Sequence, residues 1–319
     1  MSEVGRHKSG LSILGLRIAI SQPASACALR LSGLAGLIAL ALLLTPASAL
    51  AQFVCGGSVN GAEPQTGAGA TATGAPNNAA CGTNANASGA IDPGTSNTAF
   101  GASADAAGNS STNTATGSLA NASGDNSRNS AFGRQSNASG AGSVNTATGN
   151  GANASGVGAS NTANGSLANA SGIGFNTAVG ANASANGNVN PVTLIGGINT
   201  ALGAFATASG NGGLNTAIGN TALAYGDNAQ NVAIGSDAYA RAGTGNSNTA
   251  VGGLAAAGGT GGPFGGGNFL TNAGATAIGF QAQAGATALG ETNATAVGYQ
   301  AQANAANASA FGQGANAGT

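Results

Sequence analysis

The side chains able to do acid–base, nucleophilic or metal chemistry are few in this sequence, and they are scattered. Its one histidine, His7, lies in the first 51 residues with Lys8, and no histidine or lysine follows. From Gln52 onward three arginines, Arg128, Arg134 and Arg241, stand against seven carboxylates: Glu63, Asp92, Asp105, Asp125, Asp227, Asp237 and Glu291. That leaves four net negative charges. A general acid and base must reach the same reacting group. Asp227 and Asp237, ten residues apart on neighbouring stretches, do not suggest such a pair. A calcium-binding roll needs a Gly-Gly-x-Gly-x-Asp run, which the sequence lacks. The expectation is a non-enzyme with no catalytic, cofactor-binding or metal residues and no cofactor. So few cations also argue against nucleic acid and anionic lipid as partners, because phosphate binding depends on cation density.

Stepping outward to what would position any side chain, one phrase dominates. Asn-Thr-Ala-x-Gly returns with closing glycines at Gly101, Gly117, Gly133, Gly149, Gly165, Gly180, Gly203, Gly219, Gly235 and Gly252. The steps are 16 four times, then 15, 23, 16, 16 and 17. Asn-Ala-Ser-Gly or a variant ends seven residues after most of these glycines, so each period holds two short segments and two turns. Such a period marks a solenoid whose coil is one repeat. Sixteen residues are too few for two helices and a connection, whereas two strands of about five residues with glycine corners fit. A disordered Gly/Ser/Asn tract has no reason to keep this phase.

Alternation places Thr216 and Ile218 on one face and Ala217 and Gly219 on the other. Asn and Thr are expected to form ladders between coils stacked roughly 4.8 Å apart. Asn150-Gly151 and Asn186-Gly187 are expected to supply positive φ at corners. Each coil then offers one Ile, Val, Leu or Phe and several alanines as core. Where Thr116, Thr148 and Asn164 take the apolar slot, the coils should be softer, since an unpaired buried polar group costs about 1 to 3 kcal/mol.

In chain order, residues 1–51 read as a signal peptide. Arg6, Lys8, Arg17 and Arg30 precede the apolar run Leu31 to Leu44, and Ala49-Leu50-Ala51 offers cleavage between Ala51 and Gln52. The alternative is an uncleaved anchor. Residues 52–96 form an irregular entry or cap, interrupted by Pro64, Pro76 and Pro93. Regular repeats fill 97–252 with an insertion near 188–198, a glycine-rich loop occupies 253–273, and repeats resume over 274–319. The resumed phrases end at Gly279, Gly290, Gly298 and Gly312. Insertions in solenoids map to loops, where binding residues commonly sit.

Cys55 and Cys81 remain beyond the leader, and an even pair in an exported chain reads as a disulfide closing the open end of the stack. The other reading makes Cys81, in the x-Gly slot, a small core residue. Asn86, Asn121, Asn137, Asn153, Asn169, Asn182 and Asn307 each begin Asn-Ala-Ser, an acceptor pattern for glycosylation or, more plainly, a turn or ladder asparagine.

The phrases Asn231-Val232-Ala233-Ile234-Gly235, Asn215-Thr216-Ala217-Ile218-Gly219 and Asn176-Thr177-Ala178-Val179-Gly180, with the Ala-x-Ala-x-Gly that follows most of them, resemble the YadA-like, Hep_Hag-type head repeats of trimeric autotransporter adhesins. The resemblance covers roughly Gly82 to Gly314. It implies an all-β, left-handed parallel β-roll with coils of about 16 residues, assembled as a homotrimer. It also implies display on a bacterial surface or release outside the cell, where the protein binds host proteins, cells or abiotic surfaces and contributes to virulence. The long leader is similar to the extended signal peptides of that secretion class. The heptad stalk and the membrane-anchoring β segment of the family have no counterpart in these residues, so no self-contained anchor is expected. An oligomer is also attractive energetically, because one thin roll buries little apolar area per ordered residue. A rival from another class is an ice- or crystal-binding solenoid. Its signal is the pieces Thr114-Ala115-Thr116, Thr146-Ala147-Thr148 and Thr71-Ala72-Thr73, too few for an unbroken Thr-x-Thr ladder.

Overall fold

A computed structural model describes residues 55–57, 65–67, 69–90, 92, 94–188, 197–259, 270 and 272–318. The leader with its cleavage point at Ala51 and Gln52, the centre of the insertion near 188–198, and residues 260–269 lie outside them. Among the described residues there is no helix, and parallel strands stack as a β-solenoid of about fourteen turns. Each regular turn takes about 16 residues, as the spacing of the phrase requires.

The first sheet has fifteen strands. Parallel pairing runs in register from Ala79–Cys81 through Thr98–Phe100 and Thr114–Thr116 to Ser309–Phe311. The second sheet has eight strands, from Ser184–Asn186 to Asn316–Ala317. Below Ser184 it continues only as single-residue bridges: Asn86 to Asp105, Asn121, Asn137, Asn153, Asn169 and then Ser184. At the entry, Cys55–Gly57 lies antiparallel on Ala79–Cys81, and Gln65–Gly67 forms an antiparallel pair with Ala70–Ala72. Part of the stretch read as irregular is thus ordered pairing that covers the first rung of each sheet.

The interior is made of alanine. The central residue of each parallel three-residue strand, such as Ala99, Ala115 and Ala131 on the first sheet and Ala208 and Ala224 on the second, is buried, and so are Ala106, Ala122 and Ala138 beside the single bridges. Among the described residues the contiguous core cluster contains no larger apolar residue. Here the sequence expectation fails, because the Ile, Val, Leu and Phe of the phrase point outward. Phe100 is 41%, Leu202 45% and Ile234 37% exposed. Two sheets joined by such short turns lie close together, and a methyl group fills the gap. Alternation then sends both flanking residues of each strand to the outer face. Thr116, Thr148 and Asn164 therefore occupy the solvent side, where a polar group costs nothing, and they give no reason for softer coils.

The closing glycines are fixed twice over. From Gly101 to Gly252 all ten have φ between 127° and 137°. A Cβ on Gly133 would also lie 2.6 Å from the carbonyl oxygen of Gly149 in the next coil. Two residues after each glycine the chain enters the left-handed region, for which Gly151 (φ 64°) is suited. Leu119 (φ 59°) and Leu167 (φ 57°) take the same place despite their side chains. Gly187 shows no positive φ and follows the strand Ser184–Asn186, so Asn186-Gly187 is not the corner expected of it.

In the last coils, Thr276–Ile278, Thr295–Val297 and Ser309–Phe311 form consecutive rungs. The intervening Ala286-Thr287-Ala288-Leu289-Gly290 is not a rung. Only eight residues separate Gly290 from Gly298, too few for a second strand and a return. The segment bulges out instead, tied by Thr287 donating its N–H and Oγ1–H to Glu291 at 2.9 and 2.5 Å. Within the range expected as glycine-rich loop, Ala256–Ala257 is a strand of the second sheet.

Candidate functional site

The first asparagine of the phrase turns inward. Asn97, Asn113, Asn129, Asn145, Asn161, Asn176, Asn199, Asn215 and Asn231 are all fully buried. Asn129 shows the pattern: Nδ2 donates to the carbonyls of Ser123 at 3.3 Å and Gly140 at 2.8 Å, and Oδ1 accepts the N–H of Asn145 at 3.1 Å. Its Oδ1 also accepts from Ser143 Oγ at 2.8 Å. From Asn176 to Asn231 the amides bond one another directly, as in Asn215 Nδ2 to Asn199 Oδ1 at 3.1 Å and Asn231 Nδ2 to Asn215 Oδ1 at 2.9 Å. The expected asparagine ladder exists, but it closes each coil onto backbone groups as much as it links side chains. Among the described residues the only buried side-chain polar atom without a partner is Asn304 Oδ1. These asparagines are structural and have nothing free to offer a ligand.

What the molecule can offer lies on its outer faces. On the first sheet the residue before each central alanine forms a half-buried file of Thr98, Thr114, Ser130, Thr146 and onward, one residue per rung in register. The file passes through Val232 before resuming at Thr249. The side chains beside it are Phe, Thr or Asn up to Asn164 and all apolar from Val179 to Phe311. Thr71 belongs to the second sheet and adds nothing to this file. No hydroxyl-to-hydroxyl ladder runs along it among the described residues, so the threonine half of the ladder expectation is not met.

The Asn-Ala-Ser sequences divide into two kinds, five that begin at bridge positions of the second sheet and two that begin in turns. Asn121 Oδ1 accepts the N–H of Ser123 at 2.9 Å, and Asn86, Asn137, Asn153 and Asn169 hold their Ser at 3.1 to 3.2 Å. Asn182 and Asn307 stand instead in left-handed turns with φ 54° and 58°. On the second sheet Tyr225 and Arg241 face outward on successive rungs, the guanidinium 5.5 Å from the ring centroid. Burial lowers the Arg241 pKa, an effect partly opposed by Tyr225. Burial, with Asp237 nearby, raises that of Tyr239.

Alongside this column runs a groove of about 460 Å³ floored by Gly172, Gly187 and Gly210. Asp227 lines it, whereas Asp237 occupies a left-handed turn (φ 52°) and is not among its lining residues. The groove was not read from the sequence because its walls come from positions sixteen residues apart. The recurring Asx just after the second glycine, at Asn109, Asp125, Asn211 and Asp227, was the available clue.

Cys81 is buried and disulfide-bonded, and backbone register puts Cys55 directly opposite it. Among the described residues no group of three His, Cys, Asp or Glu could hold a metal ion, and no helix is long and apolar enough to cross a membrane.

Fold and faces together define a parallel β-solenoid with an alanine core and repetitive outer surfaces. No protein-family model, curated protein or solved structure matched the chain.

Proposed function

We propose that this chain is an exported, non-enzymatic attachment protein, an adhesin-like head displayed at or released from a bacterial surface. Its partners would be host proteins, cells or abiotic surfaces. One observation carries the reading: both sheets repeat outward side chains in register, rung after rung. Such a lattice gains strength from many weak, identical contacts with an extended surface. The resemblance of the repeats to adhesin heads supports the same reading. It also makes a homotrimer the assembly to expect, and the outward apolar file from Val179 to Phe311 gives such an assembly surface to bury. Beads coated with the protein should adhere to matrix or plastic under flow, and uncoated beads should not. Light scattering should give the mass of three chains, and a mass of one would remove the trimer.

A second reading, binding to ice or another crystal surface, is favoured by the threonine file on the first sheet. That file is longer than the scattered Thr-x-Thr pieces indicated, though it is a single row. A thermal-hysteresis measurement separates the two readings, since an attachment head should show none.

A further inference from the structure

We infer that the groove between the second sheet and its following turn binds an extended, neutral, β-linked glycan chain, with Tyr225 as its aromatic platform. This gives the attachment reading a ligand class and rests on that reading. The groove's glycine floor is not itself the argument, because coil stacking already requires it: a Cβ on Gly210 would collide with the Gly226 carbonyl. The argument lies in the walls. On one side Asn188 Oδ1 accepts the N–H of Ile173 at 3.2 Å, Asn211 Oδ1 that of Asn188 at 3.0 Å, and Asp227 Oδ1 that of Asn211 at 2.7 Å. Each side chain thus spends one oxygen fixing its own position. The Nδ2 groups of Asn188 and Asn211 and the Oδ2 of Asp227 have no bond within the protein among the described residues.

Opposite them stand Ser155, Ser209 and Tyr225. Tyr225 is 41% exposed, and Arg241 in the next coil lies over its ring, so the platform is held before any ligand arrives. Oriented amide donors, a carboxylate acceptor, hydroxyls and one exposed aromatic ring are the set that recognises sugar hydroxyls and the apolar face of a pyranose. The rung spacing, roughly 4.8 Å, is close to the length of one pyranose unit in an extended β-linked chain. A peptide is a poorer fit, because the neighbouring strands are already paired on both sides and the groove's own lining offers no aliphatic side chain to receive a peptide's. With Asp227 as the one acid in the groove, an acidic glycan is disfavoured.

The same device recurs lower in the stack, where Asn109 Oδ1 accepts the N–H of Ala90 and Asp125 Oδ1 that of Asn109. That stretch, of about 400 Å³, has no aromatic residue in its walls and serves as an internal control.

The test is calorimetric titration of the full chain with cellohexaose and with chitohexaose. At least one should bind, Tyr225→Ala should weaken it roughly tenfold or more, and Tyr225→Phe should retain it. Asn211→Asp keeps the oxygen that holds Asn188 but removes the free donor, and it should weaken binding severalfold with the far-UV spectrum unchanged. Absence of binding to both sugars, or an unchanged affinity in Tyr225→Ala, overturns the inference. If the wild type binds neither sugar while coated beads still adhere, the groove fails and the attachment reading stands.

Discussion

Two regions of the stack, the coils from Asn97 to Ile173 and those from Asn176 to Arg241, share one alanine core and one first sheet but differ on the second. In the lower coils the second side is a thread of single bridges, and in the upper coils it is a ladder of three-residue strands. The difference follows from one position. Where it holds Asn121, Asn137 or Asn153, the side-chain oxygen captures the N–H two residues on, and Asp105 does the same to Ala107 at 3.1 Å. A local side-chain bond competes with regular strand geometry. Where the position holds Thr207, Leu223 or Tyr239, that competition is gone and full pairing returns. Asparagine therefore does opposite things in one coil: buried at the start of the phrase it closes the turn, and half-buried on the second sheet it loosens the ladder.

The comparison can be broken hardest at what both regions share. Gly133→Ala in the lower coils and Gly219→Ala in the upper ones should each cost on the order of 4 kcal/mol or more, from backbone strain plus collision with the next coil. Both variants should lose the cooperative thermal transition, followed by far-UV circular dichroism. Next come the buried amides. Asn145→Ala strands the Ser139 and Gly156 carbonyls and the Asn161 N–H, and about 3 kcal/mol of destabilisation is expected in chemical denaturation. Asn161→Ala, which strands the Ser155 and Gly172 carbonyls and the Asn176 N–H instead, should cost a similar amount.

Reduction, or Cys81→Ser, should cost about 2 to 4 kcal/mol, and hydrogen exchange should rise at the entry rungs while the coils above Asn176 stay protected. Asn137→Thr removes the competing oxygen and should turn a single bridge into a strand. A gain of about 0.5 kcal/mol is expected, with slower exchange at Ser139. Smallest of all, Thr148→Ile should change stability by no more than about 0.5 kcal/mol, since the slot faces outward. A large gain there would mean that the apolar file packs inward or against another copy.

The coil itself was legible because glycine spacing reports a steric demand that no other residue meets. Which side of the strand faces inward was not. Thr-Ala-Ile reads equally well with isoleucine inside, and only the narrow gap between the sheets decides for alanine. The phrase ending at Gly290 misled for a related reason: five residues can copy a rung, but a coil needs about sixteen to come round again. The inward asparagine was visible as a candidate ladder, yet its bonds to backbone carbonyls depend on turns whose path the sequence does not state. The groove was the least legible, since Tyr225, Asn188 and Asp227 become neighbours only through stacking.

From Asn113 to Asn161 each closing asparagine reaches the same three places: a carbonyl six residues before it, another eleven after, and the backbone N–H of the next asparagine in line. A duplicated or deleted sixteen-residue unit would therefore find its accustomed neighbours on either side. Copy number can drift without renegotiating any contact, and the reach of the protein can lengthen or shorten in steps of one strand spacing, roughly 4.8 Å.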